Sequence, residues 1–144
     1  ALRLEALAQR AAGAAPVPFA QLDAVVRSDG VVHGALLLEA VLADRAAGQA
    51  PAVTAWRFHD ALAAVAWRVA AQRGVRTVGA TGGCWQNALL VDRLLARTPA
   101  GGHVLLHHFL PPNDENVAFG QFVAVALDAR HPAAAPVAAP PVTS

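Results

Sequence analysis

The chain has 144 residues, of which 56% are hydrophobic, and a formal net charge of +1. This length fits one domain with a hydrophobic core, and the low charge without a basic cluster excludes the electrostatic surface expected of a nucleic-acid-binding protein. All eleven cationic residues are arginine, which also excludes a P-loop lysine and a Schiff-base lysine.

Three further features of the sequence bear on the cellular compartment and on whether the chain is part of a longer protein. The single cysteine fits a reducing compartment, and no apolar stretch approaches the roughly 20 residues of a membrane span. We therefore expect a cytoplasmic protein without a membrane segment. Methionine is absent, even from position 1. We interpret the chain as a piece of a longer protein, and we expect any active site to be only partly present in it.

The first half of the chain is predicted to be mostly helical. Leucines at helical spacing, a first-turn proline and glycines after the last turn are typical signals of helices and their ends. Prolines and a glycine between the first two helices predict a loop with one or two short strands. We predict helices over 2–12, 33–47 and 51–73, the last two ending at Gly48 and Gly74.

The second half alternates between short apolar runs and helical patterns. The apolar runs predict strands over 75–80 and 101–109. Helical spacing predicts helices over 85–97 and 117–130. This order of strand, helix, strand and helix is typical of an α/β protein with parallel strands.

Two adjacent glycines lie where the first predicted strand ends. In open parallel sheets, ligands bind beyond the carboxyl ends of the strands, and Gly82 and Gly83 would let a ligand approach the backbone. The next helix would point free N–H groups at the same place, which suits a phosphate. Asn87, in its first turn, offers a donor and an acceptor to a ribose or base. A tight turn with Asn87 as a local cap is the alternative, and a glycine pair alone favours it.

A second polar turn, PPNDEN (111–116), follows the second predicted strand. Asp114 and Glu115 suit the start of a helix, where acidic side chains are stabilised. The two turns are also expected to face the same edge of the sheet and to form the floor of a cleft. Asp114 would then be a candidate oxygen ligand for a metal or a partner for a substrate amine. The residues alone leave both interpretations open.

The remaining histidines and the cysteine form no catalytic or metal-binding pattern. His107 and His108 are predicted to lie on one strand with their side chains on opposite faces. His59 has no histidine partner one helical turn away, and we interpret it as a packing or hydrogen-bonded residue at a helix contact. Cys84 is predicted to be a small buried residue rather than a nucleophile, and the three tryptophans are predicted to be core residues.

Four segments match the motifs of a known family. TGGCWQNALLVDRLL (81–95) is similar to an SGGVFQNRLL-type motif, and HVLLHHFLPPNDENVAFGQ (103–121) is similar to a VLxHxxVPPNDGGIALGQ-type segment. RFHDALA (57–63) is similar to an RFHxxLA helix, and LRLEALA (2–8) to the stretch after a YEGQAA-type motif. The chain thus resembles, over residues 2–126, the HypF family of hydrogenase-maturation carbamoyltransferases. The glycine pair followed by PPND is the specific part of the resemblance.

This resemblance implies a fold and an activity. The fold would be an incomplete α/β lobe of the actin- and sugar-kinase-like (ASKHA) type, helix-rich with a small, mainly parallel sheet. Residues 1–130 would form the C-terminal lobe of a carbamoyltransferase-like domain, and 131–144 a disordered tail rich in alanine and proline. The family uses ATP and carbamoyl phosphate, through a carbamoyl-adenylate, to carbamoylate the C-terminal cysteine of the partner protein HypE. The carbamoyl group becomes a cyanide ligand of the nickel–iron centre of hydrogenase.

The resemblance also implies a set of site residues. By motif match it places Gly82, Gly83 and Asn87 at the nucleotide. Asp114 would be a ligand of a divalent metal, zinc or iron, together with two histidines of the other lobe. That histidine motif lies before Ala1 in the family. Because one aspartate cannot hold a metal alone, the fragment by itself is expected to be inactive.

The sequence departs from the family pattern after PPND and leaves two other functions open. Glu115 and Asn116 replace a glycine pair, which makes the turn bulkier and more acidic. One alternative is a non-catalytic docking or assembly module derived from this lobe. The other is a relative of the tRNA threonylcarbamoyl transferases. The PPND and QN details argue against this alternative, and so does the absence of a basic patch.

Truncation of such a lobe would leave apolar helix faces uncovered. We expect Leu2, Leu4 and Leu7 to be exposed in this way. A homodimer, or a missing N-terminal lobe, is therefore the expected neighbour, and no nucleic acid is expected.

Overall fold

A computed structural model describes residues 2–11, 19 and 22–130. The predicted tail at 131–144, Gly13 and most of the loop before residue 22 lie outside the described residues. The elements are α1 (Leu2–Gln9), α2 (Leu22–Val25), α3 (Gly34–Ala46), α4 (Pro51–Gln72), β1 (Thr77–Gly79), a 3-10 turn (Gly83–Gln86), α5 (Ala88–Ala96), β2 (His103–Leu105) and α6 (Asn116–Arg130).

The long helix α4 is the centre of the fold. Pro51 occupies its first turn, where a missing backbone N–H costs nothing, and neither glycine nor proline interrupts its interior. Helices α1, α3 and α5 all pack against it. Residues 52–70 are all buried or half-buried, and even the polar residues Thr54, His59 and Asp60 are buried.

The predicted ends of α3 and α4 are confirmed. Gly48 and Gly74 follow the two helices with φ angles of +71° and +65°, which a glycine adopts without strain. After α4, the N–H of Gly74 donates to the carbonyl of Ala71, and the N–H of Val75 donates to that of Ala70, each at 3.0 Å. These bonds satisfy carbonyls that the helix end would otherwise leave free.

The sheet consists of two parallel strands, as predicted. Thr77 pairs with His103 and Gly79 with Leu105, and α5 connects the strands. Val78 and Val104 face α4 and α5, and the opposite face of the sheet is exposed.

Both strands are shorter than the predicted strands at 75–80 and 101–109. The pairing ends where the N–H of Ala80 donates to the carbonyl of Leu105, because the chain then turns at Gly82. His107 and His108 consequently lie beyond the strand and not on it.

Three apolar clusters stabilise the described part of the chain. The first joins α2, α3 and α4, the second joins α4, α5 and the sheet, and the third joins α1, α4 and α5. Trp56 and Trp67 are buried core residues, as predicted, and Trp85 packs at the margin of the second cluster. Since every cluster includes α4, the core is organised around one helix.

Helix α6 matches its prediction closely but has no apolar partner surface within the described residues. It is apolar nearly all round, a pattern typical of buried helices, yet Phe119 and Phe122 are 52% and 70% exposed. The expected exposure of α1 is seen only in part, because Leu4 is exposed but Leu7 packs against the third cluster. The side chain of Leu2 is not among those described. Among the described elements, α6 therefore carries the largest number of exposed large apolar side chains, namely Val117, Phe119, Phe122, Val125 and Leu127.

No helix in the described ranges combines the length and the apolar character that spanning a bilayer requires.

The core around α4 gives a direct test. Leu94 is 0% exposed and packs in the second cluster, so we expect Leu94→Ala to lower the free energy of unfolding by about 2–5 kcal/mol through lost burial and a cavity. The measurement is urea unfolding followed by circular dichroism. Leu95→Ala is the matched control, because Leu95 lies on the same helix and is 45% exposed. Equal losses in the two variants would contradict this packing.

Candidate nucleotide and metal site

The turn that contains Gly82 and Gly83 (the glycine turn) and the PPNDEN turn (111–116) lie at the same edge of the sheet. Both follow the carboxyl end of a parallel strand, which places them side by side. His107 connects them: its Nε2 is 3.0 Å from the hydroxyl of Thr81, and its Nδ1 is 3.4 Å from the amide nitrogen of Asn116. The predicted convergence of the two turns is thus present in the structure.

Two adjoining cavities open at this edge, with volumes of about 220 Å³ and 260 Å³. Their walls are mostly apolar, with His107 as the residue that carries titratable nitrogens. The wall shared by both is formed by Ala80, Leu106 and His107. The first cavity is completed by Trp85, Gln86, Val91 and Pro112, and the second by Gly79, Thr81 and Leu105.

The glycine turn is open and depends on glycine. Gly82 has a φ of +97°, which residues with a side chain rarely adopt. A Cβ built at Gly82 or Gly83 would meet no other atom within 4 Å. The backbone here is therefore accessible to a ligand, and the conformation of Gly82 explains why that residue is a glycine.

Asn87 is held by a chain of hydrogen bonds that begins on α4. His59, which is 3% exposed, donates from Nδ1 to the carbonyl of Ala55 at 2.7 Å, so its Nε2 is the acceptor nitrogen. Nε2 accepts from the amide nitrogen of Asn87 at 2.9 Å, and Oδ1 of Asn87 accepts from the N–H of Leu90 at 2.9 Å. The prediction of His59 as a packing or hydrogen-bonded residue at a helix contact is confirmed, and the structure shows the hydrogen bonds.

The predicted start of α5 is wrong. A 3-10 turn covers Gly83–Gln86, and Asn87 is the N-cap before α5 rather than a residue of its first turn. Its extended backbone (ψ 106°) separates the two segments. One N–H and one lone pair of its amide remain for a ligand.

Two of the α5 N–H groups that were expected to face the glycine turn have other partners. The N–H of Leu90 donates to Asn87, and that of Leu89 donates to Oε1 of Glu5 on α1 at 3.4 Å. A phosphate at this edge would therefore be contacted by the backbone of the glycine turn, and the start of α5 serves to attach α1.

Asp114 is exposed, and no hydrogen bond or ion pair engages its carboxylate within the part of the chain that the structure describes. The turn is capped instead by Asn113, whose Oδ1 accepts from the N–H of Glu115 at 3.2 Å. Across residues 2–11, 19 and 22–130, no three His, Cys, Asp or Glu side chains group closely enough to hold a metal. Asp114 fits the role of one oxygen ligand, and a metal here would need ligands from elsewhere.

The prediction that Cys84 is buried is wrong. The thiol is exposed, because the 3-10 turn directs residue 84 away from the core that Trp85 contacts. The geometry gives Cys84 no packing role.

Comparison with known proteins decides the family. The model of the family described as "Carbamoyltransferase, Kae1-like Domain, second subdomain" matches residues 1–121. The chain belongs to this family. The helix-rich α/β fold with a small parallel sheet agrees with that assignment, and the resemblance to the HypF family is confirmed.

Individual relatives support the same assignment. The chain is 45% identical over 90 residues to carbamoyltransferase HypF2 of Cupriavidus necator, which covers 59% of this chain and 11% of that protein. It is 38% identical over 71 residues to carbamoyltransferase HypF of Synechocystis sp., covering 49% of this chain and 9% of that protein. The crystal structure of T. kodakarensis HypF matches with a TM-score of 0.69 and 26% identity, covering 90% of this chain and 17% of that one. This family member thus spans a small part of the length of its relatives.

Sequence reasoning missed four residues that shape the site or its support. Thr81, His107 and Asn116 join the two turns, and Glu5 attaches α1 to the start of α5. A signal was present for His107, which is a polar residue just beyond a strand end. Its assignment to the strand interior concealed that signal.

The cap formed by Asn87 predicts a stability loss. We expect Asn87→Ala to lower the free energy of unfolding by about 1–2 kcal/mol, since Leu90 loses its cap and His59 loses its donor. Asn87→Asp keeps an acceptor for Leu90 and should recover part of the loss. Urea unfolding measures both, with Gln86→Ala at the exposed neighbouring position as the control. An Asn87→Ala variant as stable as this control would contradict the geometry.

Proposed function

We propose that this chain is the nucleotide-facing subdomain of a carbamoyltransferase. The complete protein would use ATP and carbamoyl phosphate to carbamoylate the C-terminal cysteine of a HypE-type partner, for synthesis of the cyanide ligands of nickel–iron hydrogenase. Family membership supports the transferase class. The main observation in favour of a nucleotide site here is that the two turns converge at one open sheet edge. The activity belongs to the complete protein, because this chain covers about a tenth of the curated relatives.

In this proposal the glycine turn contacts the nucleotide. Gly82 and Gly83 leave the backbone uncovered, so phosphate or ribose oxygens can approach its N–H groups without a steric clash. Asn87 directly follows the same segment, and the remaining N–H of its amide can donate to a ribose or base. The neighbouring cavity, lined by Ala80, Trp85 and Val91 among others, offers apolar contact to a bound nucleotide.

Asp114 is proposed as one ligand of a divalent metal, zinc or iron. Its carboxylate is exposed and unengaged, and carboxylate oxygens are suitable ligands for such ions. A bound metal would supply positive charge against the phosphates. The part of the chain described here contributes a single carboxylate, so the proposal requires further ligands from the rest of the complete protein.

Removal of Asp114 tests this function in the complete protein. We expect Asp114→Ala to reduce carbamoyl transfer to the partner cysteine by about 100-fold or more, because a metal ligand is lost. The product is measured by mass spectrometry of the partner, and ATP binding by isothermal titration. Asp92→Ala is the control, since Asp92 is an exposed acid on α5. Unchanged transfer in Asp114→Ala, or no ATP binding by the unsubstituted protein, would overturn the proposal.

A docking or assembly module is the second candidate function, and α6 favours it. A helix that is apolar nearly all round and largely uncovered needs a protein surface against it. A second copy of this chain would provide such a surface.

The second candidate predicts self-association. We expect the chain to sediment as a dimer at micromolar concentration, and replacement of Phe119 and Phe122 by serine to make it monomeric. Leu42→Ser is the matched control, because Leu42 is an equally exposed apolar residue on α3. Analytical ultracentrifugation gives the answer, and a monomeric unsubstituted chain would count against this candidate.

A further inference from the structure

Thr81, His107 and Asn116 form a side-chain bridge between the two turns. Nε2 of His107 lies 3.0 Å from Oγ1 of Thr81, at the glycine turn. Nδ1 of the same ring lies 3.4 Å from Nδ2 of Asn116, at the start of α6. Nδ2 of Asn116 also donates to the carbonyl of Pro111, at the beginning of the second turn. One continuous chain of side chains therefore spans the sheet edge.

The proton positions in this bridge follow from its chemistry. The carbonyl of Pro111 can only accept, so the atom of Asn116 that faces it is the amide nitrogen. That nitrogen can only donate, which makes Nδ1 of His107 the acceptor. Nε2 then carries the proton of the neutral ring and donates to the hydroxyl of Thr81.

The bridge constrains the segment that carries Asp114. Asn116 fastens the turn at its first residue, Pro111, and at its far end, and Asp114 lies between these two points. A glycine at position 116 would supply neither bond. The ring of His107 also forms part of the wall of both cavities, so its position sets their shape.

We propose that His107 and Asn116 are positioning residues that hold the PPNDEN turn in register with the glycine turn. The bridge fixes the shape of the opening before a ligand enters, so that less ordering accompanies nucleotide binding. This inference rests on the proposed function, in which the glycine turn contacts ATP. The bridging side chains act through the two turns and need not touch the nucleotide.

The test compares ATP affinity among variants of the complete protein. Thr81→Val removes the hydroxyl with little change in shape, and Asn116→Ala removes the donor. Because a net hydrogen bond shifts an equilibrium by about twofold to tenfold, we expect each variant to weaken ATP binding by about that factor in isothermal titration. Thr81→Ser keeps the hydroxyl and should bind as the unsubstituted protein does.

Combining the two substitutions tests whether Thr81 and Asn116 act through the same bridge. If both substitutions break the same connection, Thr81→Val combined with Asn116→Ala weakens ATP binding by less than the product of the single effects. Independent losses, a Thr81→Val variant that binds ATP normally, or a Thr81→Ser variant as weak as Thr81→Val would each overturn the positioning role. The thermal unfolding midpoint of Thr81→Val should stay within a few degrees of that of the unsubstituted protein, because Thr81 is exposed.

A spectroscopic measurement separates this inference from the proposed function. In 15N spectra of histidine-labelled protein, with the signal assigned through His107→Gln, we expect the neutral His107 ring to carry its proton on Nε2. A proton on Nδ1 would overturn the bridge whatever the ATP affinity. Failure of the unsubstituted protein to bind ATP would overturn the proposed function, and the positioning role with it, even if the ring shows the expected form.

Discussion

The hydrogen bonds of His59 determine how the central helix and the glycine turn are joined. The ring is buried, and its donation to the carbonyl of Ala55 leaves only one nitrogen to accept from Asn87. The amide of Asn87 is thereby oriented with its oxygen toward the N–H of Leu90. Where α5 begins, and how long the turn before it is, follow from a side chain on α4 that is 28 positions earlier in the sequence.

Neighbouring residues of α4 anchor other elements in the same way. Arg57 pairs with Asp44 of α3 at 2.6 Å. Asp60 accepts two hydrogen bonds from the guanidinium of Arg97, one of them from Nε at 2.8 Å, and this bonding raises the pKa of Arg97 above its usual value. Such forked contacts require arginine, because lysine has no planar pair of donors. The RFHDALA segment therefore attaches α4 to α3, to the glycine turn and to the end of α5.

Helices α3, α4 and α6 were predictable because their signals are local. Helix α2 was not, since its segment was predicted to be a loop with short strands, and α1 ends at Gln9 rather than at residue 12. The caps at Gly48 and Gly74 and the periodicity of α3, α4 and α6 reproduce the observed bounds within one residue. Strand lengths were not predictable, since a strand extends only as far as its partner, and Gly82 ends the pairing. The start of α5 was also missed, because the contact between Asn87 and His59 is not local.

In the candidate site too, features that follow from local sequence signals were predictable, and those that depend on contacts between distant residues were not. Two turns after two parallel strands must lie together, so the order of the elements was enough to predict their convergence. The residues that connect the turns were missed because the connection depends on where β2 ends. A strand that continued through residue 107 would point His107 to one face of the sheet. With the strand ending at Leu105, its ring reaches Thr81 on one side and Asn116 on the other.

Helix α6 is connected to the candidate site through its first residue, so its orientation bears on the geometry of the site. It contains 15 residues and is therefore about 22 Å long at 1.5 Å per residue. Its first residue, Asn116, is also the end of the side-chain bridge from Thr81 through His107. A rotation of the helix about Asn116 would therefore act two residues from Asp114. A protein surface packed on the apolar sides of α6 would fix the orientation of this helix. A displacement of several ångströms at the far end of α6 would reach Asn116 as a small rotation, so a contact made there would change the orientation of the Asp114 turn more than its position.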